Sequence, residues 1–246
     1  MNRSIRRNSG NLAKFIPPNP SGLRADKSLG IIYVAYGDLA IKGCQASMLS
    51  AKHQHPGVQV AVVSDREVQE ADFKIVQPSL DIGAREYKTN VYQYSPFDYT
   101  LFLDADTLVV GSLQAGFSAL VQGWDIVMAL DYRQTLSNID HIPPADVNDA
   151  IALVGTGEYP HYNAGMIFWR KCDEVQRMYE LWHEEWAKFR YRDQAALTRA
   201  IYRSRVKLWT VSWQWNTHRE EKAKHIYHCH HSVDRQWGGN MTNMRK

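Results

Sequence analysis

The chain has 246 residues, 44% hydrophobic and 22% charged, the profile of a soluble globular protein with enough length for one large domain or two closely joined lobes. Its net charge is only +3, with much of the excess in the opening stretch MNRSIRRNSGNLAKFIPPNP, so the near-neutral body offers nucleic acid no general electrostatic hold. The lack of any apolar run of about 18 residues argues against a membrane span, Arg3, Arg6 and Arg7 have no apolar signal stretch behind them, and three scattered cysteines (Cys44, Cys172, Cys229) fit a reducing, cytoplasmic compartment.

Residues 1–28 read as a basic, flexible segment, with Pro17, Pro18 and Pro20 marking the approach to the folded part. GIIYVAY (Gly30 to Tyr36) predicts a strand covered on both faces, and Gly37 and Asp38 lead into a helix from Leu39 to about Gln54, stopped by Pro56 and Gly57. VQVAVVS (Val58 to Ser64) predicts the next strand, with Asp65 at its C-terminal end. A short strand FKIV, a helix around Ile82 to Tyr94, the strand YTLFLD, a helix from Ser112 to Gln122 and the strand DIVMAL follow. Strands alternating with helices predict crossover connections and a largely parallel sheet with helices on both faces. In such sheets ligands bind beyond the carboxyl ends of the strands.

Asp131 to Pro160 lacks clear periodicity and reads as a long functional loop or lid with room for a short helix. After the strand YNAGMIFWR, residues Val175, Met178, Tyr179, Trp182, Trp186 and Phe189 recur at helical spacing and read as core packing. A helix over DQAALTRAIY, the stretch VKLWTVSWQWN and a final strand AKHIYHC complete the domain.

Within YTLFLDADTLVV, Asp104 and Asp106 stand two positions apart at the end of an apolar run. On an extended backbone i and i+2 project to one side, so the two carboxylates can share a cation that relieves their repulsion. FLDADTLV also resembles the first motif of haloacid-dehalogenase-type phosphatases, where the first Asp would attack phosphorus. That family places the motif on its opening strand, and no later Asp-Asp or Gly-Asp-x-x-x-Asp completes its metal site here. A solvated strand end with two incidental acids is the third reading.

Three further stretches follow in order. YNAGMIFWRK holds Asn163-Ala164-Gly165 ahead of an apolar strand, YRDQAALTRAIY opens a helix with Asp193-Gln194, and HIYHCHH sets a histidine at the end of the last strand. Together with the acidic couplet, this succession resembles the metal-dependent nucleotide-sugar glycosyltransferases of the GT-A fold, in particular glycosyltransferase family eight, over about Gly30 to Trp237. The resemblance implies a single α/β domain over residues 29–237, GT-A and Rossmann-like, with a mixed, mostly parallel sheet, and a tail over 238–246.

It also implies roles. Asp104 and Asp106 would hold Mn²⁺ (or Mg²⁺) against the donor diphosphate, with His228 as third ligand and His230 as the alternative; imidazole beside carboxylates suits Mn²⁺ better. A zinc site from His228, Cys229, His230 and His231 is disfavoured, because four adjacent residues cannot all converge on one tetrahedral ion. Lys88 would reach the donor, with Arg85 one turn earlier as a helper. Ala35, Tyr36 and Gly37 would border the base and ribose, Tyr36 by stacking on uracil, with Asp65 and Ala105 also on the donor side. Asn163, Ala164 and Gly165 would meet the transferred sugar, and Asp131 would accept its hydroxyls. Asp193 and Gln194 would lie against the sugar ring, Asp193 doubling as a helix N-cap. The family's Lys-Pro-Trp after the metal histidine is reduced here to Trp237, which leaves Arg235 as the candidate cation for the diphosphate. The expected reaction moves a hexose from a UDP-sugar to a hydroxyl acceptor (glycan, lipid or protein) with retention, and a non-catalytic sugar-nucleotide sensor is the reading from another class.

Overall fold

Alternation along the first strand, β1 (Leu29–Ala35), explains how the core divides. Ile31, Tyr33 and Ala35 join one apolar cluster, Ile32 and Val34 the other, so helices must cover both faces. The computed structural model of the chain describes residues 28–80 and 83–229; the basic leader, His230, His231, Arg235, Trp237 and the tail lie outside the described residues. In chain order the other elements are α1 (Gly37–Gln54), β2 (Gln59–Ser64), β3 (Phe73–Val76), α2 (Arg85–Thr89), α3 (Val91–Tyr94), β4 (Tyr99–Asp104), β5 (Thr107–Val109) and α4 (Gln114–Val121). There follow β6 (Ile126–Thr135), α5 (Pro144–Val154), β7 (Pro160–Arg170), α6 (Asp173–Ala187), α7 (Gln194–Arg203), β8 (Leu208–Val211), β9 (Asn216–Thr217) and β10 (Ile226–His228).

Seven strands form the main sheet in the order β3-β2-β1-β4-β7-β6-β8. All neighbours pair parallel except β7, which runs antiparallel to both β4 and β6, so the sheet is mixed and mostly parallel, as expected. Cys44, Met48 and Ala51 of α1 and Phe117 and Leu120 of α4 pack on one face. On the other lie Val175, Met178, Tyr179, Trp182 and Trp186 of α6 and Leu197 and Ile201 of α7, so the expected stripe is core as far as Trp186, while Phe189 lies past the helix end and is only half-buried. A separate three-stranded sheet, β5-β10-β9, sits beyond the end of β4.

Three expectations need correction. The helix around Ile82 to Tyr94 is two short ones: Asn90, at φ −109° and ψ 11°, leaves helical geometry, and its amide turns back to the Glu86 carbonyl. The strand DIVMAL continues to Thr135 with register shifts against β7, so Asp131 lies inside β6 and not at its end. The expected loop from Asp131 to Pro160 therefore contains strand, a 3₁₀ turn at Leu136–Asn138 and α5, which starts with Pro144 in its first turn. Leu136, Ile142, Val147 and Ala150 give this insert a small core of its own against Ala195 of α7.

Candidate active site

β4 ends at Asp104, and the backbone then turns through Ala105 and Asp106 before β5 begins, so the couplet is a strand end plus a turn and not one extended stretch. Thr107 Oγ1 donates to the Asp104 carbonyl at 2.8 Å and closes that turn. Gly43 of α1 lies against it: a Cβ there would stand 2.8 Å from the Ala105 carbonyl oxygen, so only glycine lets the helix come this close. β10 then runs antiparallel to β5 with His228 opposite Thr107, while Cys229 N donates to the Asp106 carbonyl at 2.7 Å. Backbone pairing alone thus carries the imidazole to the carboxylates. His228 Nε2 is 3.1 Å from Asp106 Oδ1 and 4.0 Å from Asp104 Oδ2.

One ligand atom from each of Asp104, Asp106 and His228 lies within 4.8 Å of the other two, the only such group among the described residues. Two carboxylates and an imidazole are a donor set suited to Mn²⁺. A cradle surrounds them: a Cβ on Gly165 would fall 2.8 Å from both Asp104 Oδ2 and His228 Cε1. The residues present therefore fit a divalent ion.

Lys88 lies beside this group, nearly buried on α2, with its ammonium 2.9 Å from Asp104 and 2.8 Å from Asp193. Burial works against the charged lysine, but the two carboxylates outweigh it and hold the ammonium above the usual lysine range. Burial lifts the Asp104 carboxyl, against the pull of Lys88 and His228. Asp193 goes the other way: burial opposes its charge, yet Lys88 keeps the carboxyl below its ordinary value. Burial would lower His228, but hydrogen bonding and charge from Asp106, then Asp104, raise it.

These residues line one cleft of about 760 Å³. The structure brings Tyr36, Lys88, Asp104, Ala105, Asp106, Asp131, Asn163, Ala164, Gly165, Asp193, Gln194 and His228 to its walls. Ala35, Gly37 and Asp65 are not among the lining residues; Ala35 is core, and the Asp65 carboxylate pairs with Arg66 at 3.1 Å. Tyr36 reaches the cleft with its ring stacked on Tyr87, centroids 4.9 Å apart and planes within 5°. Asn163 Oδ1 accepts from Gly165 N at 2.8 Å and from the Asn216 amide at 3.1 Å, which leaves its NH₂ as the group to offer a ligand. Asp193 occupies the N-cap position of α7, but its side chain makes no capping bond.

Sequence reading missed Arg133, His141 and Arg192, all on the cleft wall. Arg133 bonds Asp131 and Asp140, and His141 bonds Gln194. Arg133 and His141 belong to the aperiodic stretch, which carries no spacing rule, and Arg192 stands just ahead of Asp193 with no pattern to mark it.

The chain superposes on a crystal structure of the galactosyltransferase LgtC with donor and acceptor sugar analogs at a TM-score of 0.53, with 12% identity over 81% of this chain and 86% of that one. It also matches the WbbM bifunctional glycosyltransferase at a TM-score of 0.57 and 13% identity, over 78% of this chain and 40% of that one. The fold is GT-A. Identity this low establishes fold and not activity. No protein-family model and no curated sequence matches the chain. The GT-A sheet places the Asp104 end of β4 on the cleft, and β7 with its Asn163–Gly165 turns back beside it.

Proposed function

We propose that the chain is a metal-dependent hexosyltransferase that moves a sugar from a UDP-sugar to a hydroxyl acceptor with retention at the anomeric carbon. The observation that carries this reading is the convergence of Asp104, Asp106 and His228 in one cleft with Lys88, Asp193 and Gln194. Asp104, Asp106 and His228 would hold a divalent cation, and the chemistry it would supply there is Lewis-acid charge for a diphosphate leaving group.

Charge supports the assignment. Arg85, Lys88, Arg133 and Arg192 share the cleft with Asp104, Asp106, Asp131 and Asp193, so its charged walls nearly cancel. That balance survives loading with a nucleotide sugar and a divalent cation, whose charges offset one another. Lys88 adds fixed positive potential beside the leaving group. The Asn163 amide and the Asp131 carboxylate bind and orient sugar hydroxyls, while Asp193 and Gln194 stabilise positive charge developing on the ring. Retention needs no dedicated base at the acceptor. The phosphatase alternative finds less support, because the couplet stands at the end of β4, the fourth strand in chain order, rather than on the first, and no later Asp-Asp or Gly-Asp-x-x-x-Asp completes its metal site.

Thermal denaturation with UDP-glucose and UDP-galactose tests the reading. Sugar nucleotide and Mn²⁺ together should raise Tm where neither alone does, by the equivalent of about 2.7 kcal/mol at about a hundredfold excess over Kd. Asp106→Ala should abolish the joint shift. No shift with any nucleotide sugar, or an unchanged shift in the variant, would sink the proposal.

A further inference from the structure

Gln194 is the first residue of α7, and both ends of its amide are occupied. Its nitrogen donates to the Tyr162 carbonyl at 3.4 Å, and its Oε1 lies 2.8 Å from His141 Nε2. The first contact fixes the second. With the amide nitrogen on a carbonyl, Oε1 must face the imidazole, so Nε2 carries the proton and donates. Rotating the amide would set two oxygens against each other at Tyr162 and two nitrogens against each other at His141.

A cluster of charged side chains stands behind the imidazole. His141 Nδ1 is 3.5 Å from Asp140 Oδ1, and Asp140 is gripped by Arg133 at 2.6 Å. Arg133 also holds Asp131, whose Oδ1 accepts the Arg133 backbone N–H at 3.0 Å and its guanidinium at 3.4 Å. Asp131, Arg133 and Asp140 thus form one bonded group, and His141, with no hydrogen bond at Nδ1, stands beside it and reaches Gln194 through Nε2 alone. Asp131 and Gln194 both lie on the cleft; Arg133 stands near the end of β6, and Asp140 and His141 belong to the segment between β6 and α5.

We propose that His141 is a positioning residue, which holds the Gln194 carbonyl through its Nε2–H and makes the segment after β6 part of the transfer machinery. A carbonyl oxygen has two acceptor sites, so one remains for the cleft while His141 engages the other. Without His141 the amide is free to rotate about its last torsion, and a misaimed carbonyl loses transition-state stabilisation more than ground-state binding.

Two measurements on the full chain test this. The first does not depend on any activity: the side-chain amide protons of Gln194, identified by NMR through their loss in Gln194→Glu. In the wild type they should exchange slowly and be shifted from free glutamine. In His141→Ala they should collapse to solvent-exposed values, and in His141→Gln, which keeps an N–H to donate, they should hold. Unchanged signals in His141→Ala overturn the proposal.

The second rests on the proposed transfer reaction. His141→Ala should lower kcat by about tenfold, the scale of one positioning hydrogen bond, with donor KM almost unchanged. His141→Gln should recover most of the loss, and adding His141→Ala to Gln194→Ala should cost nothing further. Full multiplicative losses in the double variant, or a rise in KM at constant kcat, overturn it. If the wild type turns over no nucleotide sugar, the functional reading falls, and the amide signals alone decide whether His141 holds Gln194.

Discussion

Two additions complete the cleft around the main sheet, and they are attached by different physics. The three-stranded sheet is tied by backbone: Ile226, Tyr227 and His228 pair in register with Val109, Leu108 and Thr107, and Val110 N adds a bond to the His225 carbonyl at 2.8 Å. The insert from Arg133 to Tyr159 is tied largely by side chains. Arg199 of α7, 1% exposed, bonds Asp146 at 2.7 Å and Glu185 at 2.7 Å, and Arg203 and Lys188 close on the same Glu185. A ligand delivered by strand pairing survives most single substitutions away from it. A module docked through one buried charge cluster does not.

The largest expected effect comes from breaking that cluster. Arg199→Met leaves Asp146 buried without its partner and Glu185 with only Arg203 and Lys188, and should cost about 3–5 kcal/mol in denaturant unfolding. Partial recovery in an Arg199→Met, Asp146→Leu double variant would show that the loss was uncompensated charge; no recovery would mean the cluster mattered for shape alone.

His228→Gln sharpens the other side of the comparison. Strand pairing should keep the fold and leave unfolding free energy within about 1 kcal/mol, while Mn²⁺ affinity by calorimetry falls at least tenfold, the scale of losing a ligand. Collapse of the fold in this variant would refute the idea that backbone carries β10.

The two regions should also answer pH with opposite sign. His228 is raised, so its contribution to metal-free stability is complete below the ordinary 6.5 and disappears as pH rises through its higher folded value. His161, on β7 beside the insert, is wholly buried, and burial drives its pKa down to about 4. Its neutral ring is disfavoured by acid: stability should fall as pH drops from 6.5 toward 4 and be retained above 6.5. Urea midpoints against pH should flatten on the acid side in His161→Phe and on the alkaline side in His228→Gln.

The smallest effect is a control on the platform itself. Arg66→Ala removes exposed pairs with Asp38 and Asp65 and should leave the urea midpoint almost unchanged, since solvent screens such pairs.

Much of the platform is legible in the sequence. β1, β2 and β4 are unbroken apolar runs because both faces are covered, and the Trp182 and Trp186 spacing marks α6 as core. The acidic couplet stood out because charge at the end of such a run needs a reason. What stayed hidden depends on contacts distant in the chain. β5 is only three residues, and its pairing with β10 spans more than a hundred positions. Arg199 looks like the polar side of an amphipathic helix until Asp146 is brought against it from the insert. His141 belongs to no periodic element, so nothing local marks it. Lys88 was expected to serve a phosphate, and sequence could not reveal that it bridges two carboxylates from different elements.

That bridge bears on how the protein would be loaded. With its ammonium already shared between Asp104 and Asp193, the chain brings its own resident counter-ion to the acidic pocket. The acidic pocket then needs no ion as a folding template, and chelators should leave the fold native whether or not the proposed activity depends on a metal. On the proposed reading, Asp104 would exchange lysine for a divalent ion, and the freed Lys88 would be available to an anionic donor.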